Sequence, residues 1–277
     1  MIHWSASSWS LWKSCPAKYR VRIVEKWQPP EWREDSEFAK LAIPGLVVDK
    51  MLQLWLHRKM FHDMRWLSEN IRMLWSIVLS EVNPKWVSDE EVQVVKDETW
   101  RGLQTAIRML EKLDLAKYDL RIQPRFFEKI TDEFSITGSA DLVMVEKHSD
   151  AAIVIDIKNA HRRERITKDQ LIIYQIGLNL KSPLNIIRSG YLMFNPRLEE
   201  WKWFKLNKGH EDRLIEKLAA AAKDVMARSF EYKWNHFTCS HFCEVRYSCE
   251  MFQQVMSLKA EINPSPNSKR FILRVNS

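Results

Sequence analysis

Two neighbouring stretches, Ser139-Ala-Asp-Leu-Val-Met-Val145 and Ala151-Ala-Ile-Val-Ile-Asp-Ile-Lys158, decide the fold of this 277-residue chain. Both are apolar runs of the kind typical of buried β-strands. The polar segment 146–150 between them predicts a turn, so the two strands should form a hairpin. Such a hairpin would bring Asp141 beside Asp156.

Asp156 and Lys158 form an acid-x-lysine triplet on the second strand, where residues two apart project from the same face. Another such triplet, Glu200-Trp-Lys202, shows that the pattern also arises by chance in a chain with 29% charged residues. We interpret this other triplet as the alternating face of an exposed strand. For Asp156 and Lys158 the strand context favours a functional site, and the alternative is a surface acid and a solvated lysine on an amphipathic sheet.

Asp141 and Asp156 are the metal ligands that the hairpin predicts. Mg²⁺ and Mn²⁺ prefer oxygen ligands and keep several waters, so one or two carboxylates and a phosphate oxygen can complete their shell. Such a cation lowers the pKa of a bound water and neutralises charge on the phosphate. Lys158 can orient that water and stabilise the pentacovalent anion. The pattern therefore predicts hydrolysis of a DNA phosphodiester.

Gln170 and Tyr174 add polar groups to the predicted catalytic site. Their spacing places both on one face of a helix predicted from Asp169 to about Leu180. The glutamine amide can bond a phosphate or a metal-bound water, and the tyrosine can bond a phosphate or stack under a base. The alternative is that this helix only packs on the sheet. We expect both: the apolar residues of the helix pack on the sheet, and Gln170 and Tyr174 face the cleft.

The polar residues described so far lie in three motifs: Gly138-x-x-Asp141, Asp156-x-Lys158 and Gln170-x-x-x-Tyr174. Their order resembles the RecB-like branch of the PD-(D/E)XK nuclease superfamily. The resemblance covers roughly residues 3–250. Residues 5–19 are similar to the Ser-rich, Cys-Pro-containing opening helix of that branch, and the C-terminal cysteine cluster is similar to that of its iron–sulfur subset. It implies an α/β fold with a restriction-endonuclease-like core, in which helices flank a mixed sheet. An N-terminal helical insertion and a C-terminal iron–sulfur segment should accompany this core.

Four cysteines occur in the chain: Cys15, Cys239, Cys243 and Cys249. One early cysteine and three clustered late ones fit neither a disulfide framework nor a zinc ribbon, and four thiolates can ligate one [4Fe–4S] cluster. Similarity to the AddB nuclease domain and to the iron–sulfur exonucleases of CRISPR adaptation implies that Cys15 completes such a cluster. Those relatives usually have two residues between the first two clustered cysteines, whereas this chain has three. Zinc bound by the clustered cysteines with His236 or His241 is the alternative.

Gly45-Leu-Val-Val-Asp49 corresponds to a Gly-x-x-x-His motif that supplies a further metal ligand in the relatives. The histidine is an aspartate here, and an oxygen ligand suits Mg²⁺ or Mn²⁺ at least as well. We therefore expect Asp49 to be a third metal ligand. The alternative is an acid at the start of a helix, with catalysis weakened or absent.

The charge of the chain favours a polyanionic partner, since the formal net charge is +7 and the pI is about 9.2. Arg162, Arg163 and Arg165 lie between the Asp156 strand and the Gln170 helix. We expect these arginines to contact the phosphate backbone of DNA, and a solvated loop is the alternative.

The remaining sequence fits a single nuclease domain over residues 1–257. Its predicted parts are a helical insertion at 28–118, a catalytic core at 124–205 and a cysteine segment at 236–250, followed by a loosely ordered tail at 258–277. No transmembrane run and no secretory signal is found, so a reducing cytoplasm is the expected compartment. The thirteen tryptophans are expected mainly in the core, with base stacking as the alternative.

Three classes of function follow from these patterns. The first is a metal-dependent DNA exonuclease acting on single strands or DNA ends, in recombination, repair, phage DNA metabolism or CRISPR adaptation. The second is a catalytically inactive DNA-end-binding subunit of the same fold, and the third is a zinc-containing DNA-binding regulator. A helicase, an integrase or a recombination protein is expected as a partner by family analogy alone.

Overall fold

A computed structural model of the chain describes residues 1–27, 37–59, 63–82, 86, 88–159, 167–195, 198–235, 239, 243 and 245–259. The chain divides into two compact units. The sheet unit comprises Glu31–Glu128 and Thr137–Leu214, and the cysteine unit comprises Met1–Pro30, Lys129–Ile136 and Ile215–Ser277. The first contains the predicted catalytic residues and the second contains all four cysteines. The predicted tail at 258–277 lies outside the described residues beyond Lys259.

Helices form much of the described chain: α1 (Ala6–Ser14), α2 (Pro16–Tyr19), α3 (Glu37–Arg58), α4 (Met64–Val82), α5 (Asp89–Glu111), α6 (Lys168–Lys181), α7 (Lys208–Met226) and α8 (Glu250–Lys259). The helix predicted to carry Gln170 and Tyr174 is confirmed as α6. Ser88 caps α5, because its side chain accepts a hydrogen bond from the Glu91 N–H at 3.3 Å. None of the helices described is long and apolar enough to cross a membrane.

Eight strands are found within the described residues: β1 (Ile2–Trp4), β2 (Tyr118–Ile122), β3 (Arg125–Lys129), β4 (Phe134–Ser139), β5 (Leu142–Glu146), β6 (Ala151–Lys158), β7 (Asn185–Asn195) and β8 (Leu198–Phe204). The larger sheet has the order β2-β5-β6-β7-β8, with β6 and β7 parallel and the other neighbours antiparallel. A smaller sheet has the order β1-β4-β3. The predicted mixed sheet and the β5–β6 hairpin are therefore confirmed.

The prediction of one continuous strand from Ser139 to Val145 is wrong. β4 ends at Ser139 and β5 begins at Leu142, because the chain leaves the smaller sheet and enters the larger one between them. Asp141 lies at this break. Its side chain is therefore placed by a change of sheet and not by the alternation of a regular strand.

The core of the sheet unit explains the orientation of Asp156. Ile153 and Ile155 of β6 are buried in a cluster with Val48 of α3 and Leu103 of α5. Because neighbouring residues of a strand point to opposite faces, Asp156 faces the other side of the sheet, where Gln170 of α6 donates a hydrogen bond to it. Burial of one face by helices α3 and α5 thus directs the carboxylate towards α6.

Phe126 of β3 fits between two glycines. A Cβ atom on Gly177 of α6 would lie 2.2 Å from its ring, and one on Gly138 of β4 would lie 2.8 Å from it. The ring is buried, with 3% exposure. The glycine of the Gly138-x-x-Asp141 motif is therefore required by close packing.

Gly177→Ala should lower the melting temperature of the protein. Alanine favours a helix by about 1 kcal/mol over glycine, but overpacking a buried ring costs about 1–3 kcal/mol. Gly45→Ala is the matched control within a helix, because its new Cβ atom would meet Asn159 at an ordinary 3.5 Å. Thermal denaturation of both variants tests the packing. A Gly177→Ala protein at least as stable as the wild type would contradict it.

The cysteine unit has a core of aromatic side chains. Trp4 is fully buried, and its ring centroid lies 5.8 Å from that of Trp9 and 5.9 Å from that of Trp12, in both cases edge to face. Tyr19 packs on Trp12 at 5.4 Å. Core burial of these three tryptophans, the expectation from the sequence, is confirmed.

Candidate active site

One oxygen of Asp156 is bound by the two polar residues of α6. Gln170 Nε2 donates to Asp156 Oδ1 at 2.7 Å, and the Tyr174 hydroxyl donates to the same oxygen at 3.3 Å. Gln170 Nε2 also lies 2.7 Å from the Tyr174 hydroxyl. The structure therefore brings Asp156, Gln170 and Tyr174 together as one hydrogen-bonded group.

The other oxygen of Asp156 faces Lys158. The Lys158 Nζ atom lies 2.8 Å from Asp156 Oδ2, in an ion pair whose lysine side chain is 39% exposed and whose aspartate is 1% exposed. Gln170 and Tyr174 both bind the other oxygen, so Lys158 is the partner of the buried Oδ2. Burial lowers the pKa of Lys158, but the neighbouring acids outweigh this effect and raise it. The lysine is accordingly charged beside an oxygen that can accept a further ligand.

Asp141 completes a pair of buried acids. Its Oδ2 accepts a hydrogen bond from the backbone N–H of Ile157, at 2.7 Å, between the two motif residues of β6. Burial and the negative charge of Asp156 together raise the pKa of Asp141 from 3.8 to about 7. Burial also raises the pKa of Asp156. Two carboxylates that repel each other in a buried site are suited to share a cation.

Asp49 of α3 lies in the electrostatic field of the same site. Burial raises its pKa, while a hydrogen bond from Gln53 and the charge of Lys158 lower it in part. Gln53 Nε2 donates to Asp49 Oδ2 at 2.8 Å. The sequence reasoning missed Gln53, although a glutamine four residues after an acid on a helix is the spacing that pairs such side chains.

The donor set suits a hard divalent cation. Among the described residues, no group of three or more His, Cys, Asp and Glu side chains is arranged to hold a metal ion. Mg²⁺ needs only one or two carboxylates, because waters and substrate phosphates supply its other ligands. The buried Asp156 Oδ2, which accepts no hydrogen bond from Gln170 or Tyr174, and the repulsion between Asp156 and Asp141 fit this requirement.

The predicted DNA-binding arginines, Arg162, Arg163 and Arg165, lie outside the described residues. So do His236 and His241, the histidines of the zinc alternative. The candidate site is therefore built from the described residues of α3, β4 to β6 and α6.

The four cysteines line one cavity of about 320 Å³ in the cysteine unit. None of the four forms a disulfide. Burial raises the pKa of Cys239 and of Cys249, and the nearby Cys15 and Cys243 raise both further. Cys15 thus lies beside the late cysteines, although more than two hundred residues separate them in sequence.

A comparison with known protein families finds a match for most of the chain. The model of the PD-(D/E)XK nuclease superfamily matches residues 3–250. The chain belongs to this superfamily. Membership in the PD-(D/E)XK superfamily indicates a metal-dependent nuclease that acts on DNA.

A solved structure is distantly similar to this PD-(D/E)XK protein. The structure titled "Crystal structure of SSO0001" is 14% identical, with a TM-score of 0.36, and the match covers 85% of this chain and 94% of that one. None of the curated proteins matches the chain.

Asp141→Asn should raise the melting temperature of the metal-free PD-(D/E)XK protein at about pH 8, with a gain that shrinks towards pH 4. The Asp141 pKa is raised from 3.8 to about 7, so folding favours the protonated acid. The protonated Asp141 stabilises the fold fully at a pH below the pKa that this acid has in the unfolded chain. This stabilisation is lost as the pH rises through about 7. Asparagine stays neutral and avoids this loss.

Thermal denaturation in EDTA across this pH range measures the effect of Asp141. Asp132→Asn is the control, because the Asp132 side chain is 96% exposed. A difference between wild type and Asp141→Asn that stays constant with pH would contradict the raised pKa.

Proposed function

We propose that this protein is a metal-dependent DNA exonuclease that hydrolyses single strands or DNA ends. The observation that carries the proposal is the environment of Asp156. One of its oxygens is bound by Gln170 and Tyr174, while the other faces Lys158. A surface acid on an amphipathic sheet would need none of these contacts.

Each residue has a role in the proposed hydrolysis. Asp141 and Asp156 would hold Mg²⁺ or Mn²⁺, with Asp49 as a third ligand. The bound cation supplies neutralising charge to the phosphate and makes water a stronger nucleophile. Lys158 stabilises negative charge that develops on the phosphate.

Gln170 and Tyr174 act as positioning residues in this scheme. Their hydrogen bonds to Asp156 Oδ1 fix the carboxylate, so that Oδ2 stays directed at the site. Arg162, Arg163 and Arg165 are proposed to contact the DNA backbone between β6 and α6. We place the activity in recombination, repair, phage DNA metabolism or CRISPR adaptation, in the cytoplasm and with a helicase or integrase partner, by analogy with the RecB-like branch.

A time course with end-labelled DNA tests the activity. Single-stranded and blunt duplex substrates are incubated with Mg²⁺, Mn²⁺ or EDTA, and products are resolved at single-nucleotide length. An exonuclease should release mononucleotides or short fragments from labelled ends with either metal and none in EDTA. Binding of DNA ends without hydrolysis would instead identify the inactive subunit.

We infer that the cysteine cavity holds a [4Fe–4S] cluster. The support is that four thiols outside disulfides line one cavity. The cations Lys18, Lys233 and Arg246 line the same cavity and suit an anionic cluster. Elemental analysis of protein purified without oxygen tests the assignment. About four iron atoms per chain are expected, whereas one zinc atom without iron would identify the zinc alternative.

A further inference from the structure

A groove of about 570 Å³ runs along β3, β4 and the end of α6 in the sheet unit. Arg125 and Phe127 of β3 line it, together with Gly138 and Ser139 of β4. Lys181, the last residue of α6, also lines the groove. None of these side chains is used by the predicted catalytic site.

The groove leads to the candidate active site. Ser139, which lines the groove, lies two residues before Asp141 in the chain. The Cα atoms of these two residues are therefore at most about 7 Å apart. A strand of DNA that follows the groove would therefore pass beside the two carboxylates.

Phe127 is an unusual side chain for this surface. It is 59% exposed. Its neighbour Phe126 is buried against the two glycines, so the alternation of β3 turns Phe127 to the opposite face. An exposed aromatic ring at the border of a groove can stack on a base.

The charges around the groove complement a polyanion. Arg125 and Lys181 contribute two cations, against one acid, Glu128. Lys181 Nζ donates to the backbone carbonyl of Arg125 at 2.5 Å, which ties the end of α6 to β3. Arg121 lies beside them and donates to the Ser182 hydroxyl at 3.3 Å. Cations together with an exposed ring are the combination that binds single-stranded nucleic acid.

We propose that this groove binds a single DNA strand on one side of the scissile phosphate. Arg125 and Lys181 contact backbone phosphates, and Phe127 stacks on an unpaired base. The inference rests on the proposed nuclease function and names the form of DNA that reaches the carboxylates. A duplex does not satisfy the groove, because its bases are already stacked on one another.

Binding without cleavage tests the groove. A labelled oligothymidine of about 12 nucleotides is titrated with the full-length protein in EDTA, and fluorescence anisotropy is followed at several salt concentrations. The Phe127→Ala variant should bind about tenfold more weakly with an unchanged salt dependence, and Phe127→Trp should bind like the wild type. The double variant Arg125→Ala/Lys181→Ala should lower the slope of log K against log salt by about 1.4, at about 0.7 per phosphate.

Two exposed residues of α4 provide matched controls. Met73→Ala removes a side chain that is 52% exposed, and Arg65→Ala removes a cation whose side chain is 89% exposed. Neither change should affect binding. Groove variants that bind as the controls do, or a wild type that binds no oligonucleotide, would overturn the proposal.

The outcomes separate the groove from the proposed activity. A wild type that hydrolyses DNA while the groove variants bind normally refutes the groove alone. Loss of binding in the groove variants, with no hydrolysis by the wild type under any metal, supports the groove and refutes the nuclease function.

Discussion

Asp156→Asn should abolish DNA hydrolysis with Mg²⁺ or Mn²⁺, lowering the rate by about a thousandfold or more. Asparagine keeps an oxygen for Gln170 and Tyr174 but loses the negative charge that a cation needs. Burial raises the pKa of Asp156, so the neutral side chain should not destabilise the metal-free fold. Initial rates on end-labelled single-stranded DNA, with melting temperatures in EDTA, separate lost chemistry from lost folding.

The chain provides a matched control in its other acid-x-lysine triplet. Glu200→Gln in Glu200-Trp-Lys202 of β8 removes a carboxylate from the same kind of pattern, and we expect hydrolysis close to that of the wild type. Comparable activity of Asp156→Asn and Glu200→Gln would refute the assignment of Asp156.

Cys249→Ala should give a colourless protein without iron, and its melting temperature should fall by about 10 °C or more. A cluster that joins Cys15 to Cys249 closes most of the chain into one loop, so its loss frees the unfolded chain and removes ligand bonds from the folded one. Visible absorbance, iron content and thermal denaturation measure these effects.

Ser14→Ala is the control for the cysteine change. Ser14 lines the same cavity, and its hydroxyl donates to the backbone carbonyl of Leu11, so its removal should leave colour and iron content unchanged. If Cys249→Ala keeps a brown chromophore and its full stability, the iron–sulfur assignment fails.

Around the candidate site, the sequence predicted those elements of the fold that depend only on the pattern of nearby residues. The β5–β6 hairpin follows from two apolar runs and a polar turn, and α6 follows from helical spacing. The path of the chain at Asp141 was not predicted, because the residues there continue an apolar run while the backbone changes sheets.

Contacts between segments that are distant in sequence could not be predicted either, because no local pattern shows them. The resemblance pointed to Asp49, and its hydrogen bond from Gln53 lies within α3. The charge interaction of Asp49 with Lys158, however, emerges only when α3 packs against the sheet. No local pattern distinguishes the exposed Phe127 from the buried Phe126, since both belong to one strand. Which ring is buried depends on Gly138 and Gly177.

The sequence by itself determined the order of the three motifs, the strand that carries Asp156 and Lys158, and the helix face that carries Gln170 and Tyr174. These features have periods of two to four residues, so backbone geometry is enough to fix them. Only the tertiary structure decided the environment of the acids and the position of Cys15 beside the late cysteines. A buried carboxylate takes its pKa from desolvation and from charges on other segments, and the folded chain alone brings those segments together.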